Sequence, residues 1–206
     1  MDVDRAAEEA VAGLRAGRPV LLPTDTVYGL CAAADREAPA RALYRLKGRA
    51  ETQPSALLCA SLGALFEALP ELRGEAGDAA RALLPGPYTL VVPNPARRYR
   101  WLNGTRTDAI GVRVPELPEP ARHVVDVLGC VMATSANDPG GPSPASLDEV
   151  PQRIRDGCAA EVDLGRLPGT PSTVIDFTGA DPYVIRDGAV PAAEALERVR
   201  AFRDAQ

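Results

Sequence analysis

Three polar clusters beside short apolar runs constrain the fold of this chain more than any other feature. Val20-Leu21-Leu22 gives way to Pro23-Thr-Asp-Thr-Val-Tyr-Gly-Leu30, where Thr24, Asp25, Thr26 and Tyr28 place three hydroxyls and a carboxylate within five positions. Residues 130–133 run into Thr134-Ser-Ala-Asn137 and then a turn-rich stretch that carries Ser143. Ser172-Thr173 opens the third cluster. A strand that stops in a hydroxyl-rich loop is a common way to build a small-molecule site in an α/β protein. One such cluster alone is also what an ordinary polar turn looks like.

The rest of the pattern agrees with an α/β chain. Asp4 is placed to cap a helix with the apolar face Ala7, Ala10, Val11 and Leu14, ending at Gly17. Further helices are predicted over 38–46, from Ser61 to 69, over 75–84, over 119–128 and from about 192. Ser146 with Glu149 has the spacing of a capping box for a helix reaching about Asp156. Strands are predicted over 20–22, 56–60, 88–92, 109–114, 130–133, 172–177 and 182–186. Residues 23–30 read as loop. Strands and helices alternate irregularly, which predicts a twisted, open, mixed sheet flanked by helices.

At 206 residues the expectation is a single domain over 1–206, with a core that needs no staple. No apolar run is long enough to span a membrane, and Met-Asp-Val-Asp-Arg is not a signal peptide, so a cytoplasmic location is expected. The four cysteines, at 31, 59, 130 and 158, make no CxxC pair, and His123 is the single histidine. A zinc site of the usual spacing is therefore not expected, and Cys59 and Cys130 read as small core residues. The formal net charge of −5 gives the whole molecule no attraction for polyanions.

Cations nevertheless accompany the polar clusters. Lys47 and Arg49 follow a helix, Arg113 interrupts the strand Ile110-Gly-Val-Arg-Val114, and Arg186 ends a strand. Fixed cations with hydroxyls and amides suit phosphate and carboxylate groups, and can promote phosphoryl or nucleotidyl transfer by positioning and charge stabilisation. Lys47 and Arg49 could instead simply complement a helix dipole. The P-loop, the dinucleotide-binding glycine motif and the G-x-S-x-G elbow are all missing. A different reading comes from Arg97-Arg-Tyr-Arg-Trp101, basic with interleaved aromatics, which is a pattern for RNA contact.

Seven motifs in order add a resemblance. Pro23–Leu30, Lys47-Gly-Arg49, Leu84-Pro-Gly-Pro87 with Tyr88-Thr-Leu90, Gly111-Val-Arg-Val-Pro115, Thr134-Ser-Ala-Asn137, Ser172-Thr-Val-Ile-Asp176 and Val184-Ile-Arg186 are similar to the YrdC/TsaC family, from about residue 18 to 190. The resemblance implies a YrdC-like fold with a large concave, positively charged cavity. It implies a nucleotidyltransferase that makes threonylcarbamoyl-AMP and pyrophosphate from L-threonine, bicarbonate and ATP. A separate transferase complex would then pass the group to adenosine 37 of tRNA.

By that resemblance Lys47 and Arg49 hold the ATP phosphates and act in catalysis. Ser135, Asn137, Ser143 and Arg186 contact the nucleotide. Thr24, Tyr28, Arg113 and Ser172 form the threonine pocket. Mg²⁺ arrives on the triphosphate, with no metal site of the protein's own. The alternatives are a non-catalytic YrdC-like RNA-binding protein and a paralogue with another acceptor. One departure from the family pattern is Ala50, where relatives often carry proline after the arginine.

Overall fold

The computed structural model describes residues 3–205. Eight strands form one mixed sheet: β1 (Val20–Pro23), β2 (Tyr28–Ala33), β3 (Ala56–Cys59), β4 (Tyr88–Pro93), β5 (Ala109–Arg113), β6 (Cys130–Ser135), β7 (Thr173–Asp176) and β8 (Tyr183–Arg186). Their order across the sheet is β1-β2-β6-β3-β5-β4-β7-β8. The β3/β5 and β4/β7 pairs are parallel and the other neighbours antiparallel. The mixed sheet expected from the irregular alternation is therefore present.

Among the described residues seven α-helices flank it: α1 (Val3–Arg15), α2 (Glu37–Lys47), α3 (Leu62–Ala68), α4 (Gly74–Leu83), α5 (Glu119–Leu128), α6 (Gln152–Gly157) and α7 (Ala192–Asp204). Strand residues of one parity, including Leu21, Leu30, Leu57 and Met132, join a core with α2, α3, α4 and α7. Those of the other parity, including Val20, Leu22, Cys31, Leu58 and Val131, pack with α1 and α5. The second core stops at β3 and β6. Beyond it, on the same face, β4 presents Thr89 and Val91 half-buried between the fully buried Tyr88, Leu90 and Val92. That uncovered half of the sheet is where a ligand can lie.

Three local expectations are corrected. Residues 28–30, read as loop, begin a strand that runs to Ala33: β1 and β2 form a hairpin in which Pro23 pairs with Tyr28. All six residues of β2 are buried, so it lacks the polar alternation that marks a half-exposed strand. Asp4 lies inside the first turn of α1 rather than at its cap. Ser146 makes no capping hydrogen bond, and only a 3₁₀ turn (Leu147–Glu149) follows before Pro151 precedes the short α6. Glu149 instead accepts from the Ala145 N–H at 2.7 Å and from Arg166 at 2.9 Å. Ser61, by contrast, caps α3 as expected, accepting from the Ala64 N–H at 3.1 Å.

Candidate active site

A cavity of about 410 Å³ occupies the uncovered face. Its floor is made of small residues on central strands: Gly29, Ala56, Gly111 and Ala133. Four arginines line it, Arg49, Arg106, Arg113 and Arg186, with no acidic side chain among the lining residues. A second depression of about 320 Å³ is lined by Lys47, Asn137, Pro139 and Gly140, and it shares Arg49, Pro54 and Ser135 with the cavity. The two spaces therefore meet at Arg49 and Ser135.

The turn between β1 and β2 builds one wall. The Thr24 hydroxyl donates to the Val27 carbonyl at 2.7 Å and accepts from the N–H groups of Thr26 and Val27, both at 3.2 Å. Thr24 thus lines the cavity while its hydroxyl holds the turn together. That geometry aims Asp25 at β5, where its carboxylate accepts from Arg113 at 2.7 Å. Thr26 Oγ1 accepts from the same guanidinium at 3.3 Å, and Asp25 also accepts from the Glu116 N–H at 3.4 Å. Arg113 Nε is buried without a partner. Burial lowers the Arg113 pKa and the Asp25 charge opposes this; burial likewise raises the Asp25 pKa against the pull of Arg113.

Tyr28 is the sequence-predicted residue that does not belong to either space. Side chains alternate along β2, so Gly29 faces the cavity and Tyr28 and Leu30 face the opposite core. The Tyr28 hydroxyl donates to the Gly165 carbonyl at 2.8 Å and accepts from the Leu164 N–H at 3.1 Å. Burial pushes its pKa up to about 12. Its place in the threonine pocket is withdrawn; it anchors the 163–165 loop.

Lys47 and Arg49 are delivered by the end of α2. Gly48 adopts φ +68°, a left-handed C-cap that suits glycine, and the N–H groups of Gly48 and Arg49 close onto Arg45 and Tyr44. Their side chains do not cap α2. Lys47 Nζ donates to the Ser135 carbonyl and, at 3.1 Å, to Asn137 Oδ1. Burial first, then the charge of Arg49, lowers its pKa to about 8. Arg49 donates to Thr134 Oγ1 at 3.1 Å and to the Pro54 carbonyl at 2.7 Å, leaving its buried Nε unpartnered.

The remaining predicted residues fall on the same two spaces. Ser143 and Ser172 line the cavity, Asn137 the depression, and Ser135 both. Ser135 Oγ donates to Asn137 Oδ1 at 2.5 Å, and Asn137 Nδ2 donates to the Gly141 carbonyl at 2.6 Å, fixing the turn. Arg186 grips the Ser172 carbonyl through Nε at 3.1 Å and Nη2 at 2.8 Å. Ser172 Oγ lies 2.8 Å from Thr89 Oγ1.

Two parts of the site had no assigned role in the sequence. Arg106 lines the cavity and pairs with Asp176 at 2.6 Å. The only hint was a carboxylate at the end of the strand motif 172–176. Arg153 on α6 donates to the Leu46 and Lys47 carbonyls and to Asp138, clamping the end of α2 to the Asn137 turn. Nothing in local spacing connects positions so distant.

In the basic aromatic loop 97–101 the two rings turn toward the core while Arg97, Arg98 and Arg100 stay exposed. Tyr99 and Trp101 pack against the main core, their rings edge-on with centroids 6.5 Å apart. Trp101 Nε1 donates to the Ala34 carbonyl at 3.1 Å, and Arg98 pairs with Glu71 at 2.8 Å. Both rings are half-buried and take part in core packing.

A family model named for Sua5, YciO and YrdC and described as "Telomere recombination" matches residues 12–188. A threonylcarbamoyl-AMP synthase of Halorhodospira halophila is 38% identical over 181 residues, 87% of this chain and 88% of that protein. The Homo sapiens threonylcarbamoyl-AMP synthase is 35% identical over 211 residues, 96% of this chain and 70% of that protein. The crystal structure of P. abyssi Sua5 complexed with L-threonine superposes with a TM-score of 0.85 at 33% identity; 97% of this chain matches 58% of that one. The chain thus spans under three fifths of the archaeal Sua5 structure. With the family model covering most of its length and the fold shared, the chain belongs to the Sua5/YciO/YrdC family.

Proposed function

We propose that this chain is an L-threonylcarbamoyladenylate synthase, acting as a single YrdC-like unit in the cytoplasm and supplying tRNA t6A37 modification. The observation that carries the reading is the junction of the two spaces at Arg49 and Ser135. A triphosphate in the depression, against Lys47, Asn137 and Arg49, has its α-phosphorus facing an acceptor in the cavity. The synthase names of the relatives and the L-threonine in the Sua5 structure support these two occupants.

The chemistry asks little covalent work of the protein. The neutral threonine amine attacks the carbon of CO₂, releasing a proton, or of bicarbonate, releasing water, and forms a carbamate. A carbamate oxygen then attacks the α-phosphorus, and pyrophosphate leaves. Lys47 and Arg49 offset the charge that builds on the phosphoryl oxygens. Arg113, with Asp25 fixing its orientation, presents N–H groups to the threonine carboxylate, and Ser172 assists. Ser143 and Arg186 contact the nucleotide from the cavity side. Mg²⁺ enters on the triphosphate. The downstream partner is the transferase complex that takes the labile adenylate to tRNA.

The test is pyrophosphate release from ATP with L-threonine and bicarbonate, with serine and alanine as controls. Release that needs both threonine and bicarbonate supports the reading. ATP binding without release overturns it in favour of a paralogue with another acceptor.

A further inference from the structure

Cys59 and Cys130 face each other across two neighbouring strands at the end of the sheet away from the cavity-lining residues Ala56, Thr134 and Ser135. Cys59 is the last residue of β3 and Cys130 the first of β6, and they are direct partners in the antiparallel register. The next pair outward, Ala60 and Gly129, is joined by a hydrogen bond from the Ala60 N–H to the Gly129 carbonyl at 2.9 Å. Hydrogen-bonded and non-hydrogen-bonded pairs alternate along an antiparallel ladder, so Cys59 and Cys130 form a non-hydrogen-bonded pair. At such pairs the Cα atoms stand about 4.5 Å apart and the side chains lie closest, within the span a disulfide bridges. The two sulfurs are 2.9 Å apart, both as free thiols.

We propose that Cys59 and Cys130 are a reactive dithiol, a modification site at which a hydroperoxide closes a cross-strand disulfide. Cys130 is half-buried and meets the oxidant; Cys59 is fully buried behind it. The Cys130 sulfur attacks the hydroperoxide oxygen, breaking the O–O bond and releasing an alcohol or water, and becomes a sulfenic acid. The Cys59 sulfur then attacks the sulfenic sulfur, forming S–S and releasing water. Two thiol hydrogens leave, and the hydroperoxide takes up the electron pair. The division of roles agrees with the electrostatics: contact with Cys59 lowers the Cys130 pKa, while the same contact and burial raise that of Cys59. The other two thiols serve as internal references, since burial raises both Cys31 and Cys158 to about 12.

The experiment treats the protein with hydrogen peroxide and maps its cysteine peptides by mass spectrometry, before and after dithiothreitol. The expected result is a loss of two hydrogens, one peptide pair joining Cys59 to Cys130, and free thiols at Cys31 and Cys158. The bond links residues 71 apart in sequence, so the oxidised protein melts at a higher temperature and dithiothreitol reverses the shift. In Cys59→Ala, Cys130 is expected to stop at a sulfenic acid that dimedone captures. Irreversible oxidation of Cys130 with Cys59 still free in the unsubstituted protein overturns the proposal. So does reaction at Cys158 or Cys31 ahead of the pair, or absence of reaction at both Cys59 and Cys130.

Discussion

The carboxylate of Asp25, at the tip of the β1–β2 turn, accepts a 2.7 Å hydrogen bond from Arg113 on β5, and both side chains are only about a tenth exposed. In the sheet order β6 and β3 lie between that hairpin and β5, and of the two residues Arg113 lines the cavity. Removing one partner leaves a buried charge alone, which costs about 3–5 kcal/mol. Asp25→Asn is therefore expected to lower stability by about that much in urea unfolding. Among molecules that remain folded it should raise the threonine KM while leaving the ATP KM near the original value. An unchanged threonine KM would remove Asp25 from the site.

Arg113→Ala tests the ligand side of the same pair. Hydrogen bonds to charged groups contribute about 1.5–3 kcal/mol, so the threonine requirement should rise about tenfold or more. Steady-state titration of threonine at saturating ATP reads this directly. A rise in the ATP requirement of equal size would mean that Arg113 serves the nucleotide.

Lys47 sets a limit on pH. Its pKa is lowered to about 8, so the free protein loses the ammonium, and with it the proposed phosphate contact, as pH rises through that value. The kcat/KM for ATP should fall above about pH 8. Lys47→Arg keeps a positive charge throughout and should flatten that alkaline limb, although its fork cannot reproduce the Lys47 geometry and its rate will be lower. Lys47→Ala should lower kcat by about 10²–10³, the loss seen when one preorganised donor is removed.

Arg153 is expected to act through Lys47. Its bonds to the Leu46 and Lys47 carbonyls and to Asp138 hold together the depression lined by Lys47 and Asn137. Its charge also contributes to the lowered Lys47 pKa, and Asp138 opposes it. Arg153→Ala should raise the ATP KM and move the alkaline limb upward in pH. Asp138→Asn should move the same limb downward. A shift in the same direction for both variants would contradict the arrangement.

The two serines that look like helix caps should behave differently. Ser61→Ala removes a real capping bond and should cost about 1 kcal/mol. Ser146→Ala removes none and should fall within about 0.5 kcal/mol of the parent in the same unfolding experiment.

These contrasts also mark what local sequence could and could not reveal. The strand ends at Thr134 and Ser172 and the cations Lys47, Arg49, Arg113 and Arg186 were legible, because apolar runs, turns and charges are local signals. β2 was not, since a strand buried on both faces loses its alternation and Gly29-Leu-Cys-Ala-Ala33 has weak strand propensity. Missing β2 also misplaced Tyr28: once it sits in a strand beside cavity-facing Gly29, its ring must point to the other side. The Ser146 signal failed because Pro151 stands where the helix would have continued. The Asp25–Arg113, Arg106–Asp176 and Arg153–Asp138 pairs join separate elements, and only the sheet order and helix packing bring them together.

The most direct measurement is product identity. The protein is incubated with ATP, Mg²⁺, L-threonine and ¹³C-labelled bicarbonate, and the nucleotides are resolved by mass spectrometry. The account predicts an adenylate carrying both threonine and one labelled carbon, formed together with pyrophosphate. ATP consumed without a labelled threonine adduct, or no adduct from protein that binds both substrates, would contradict it.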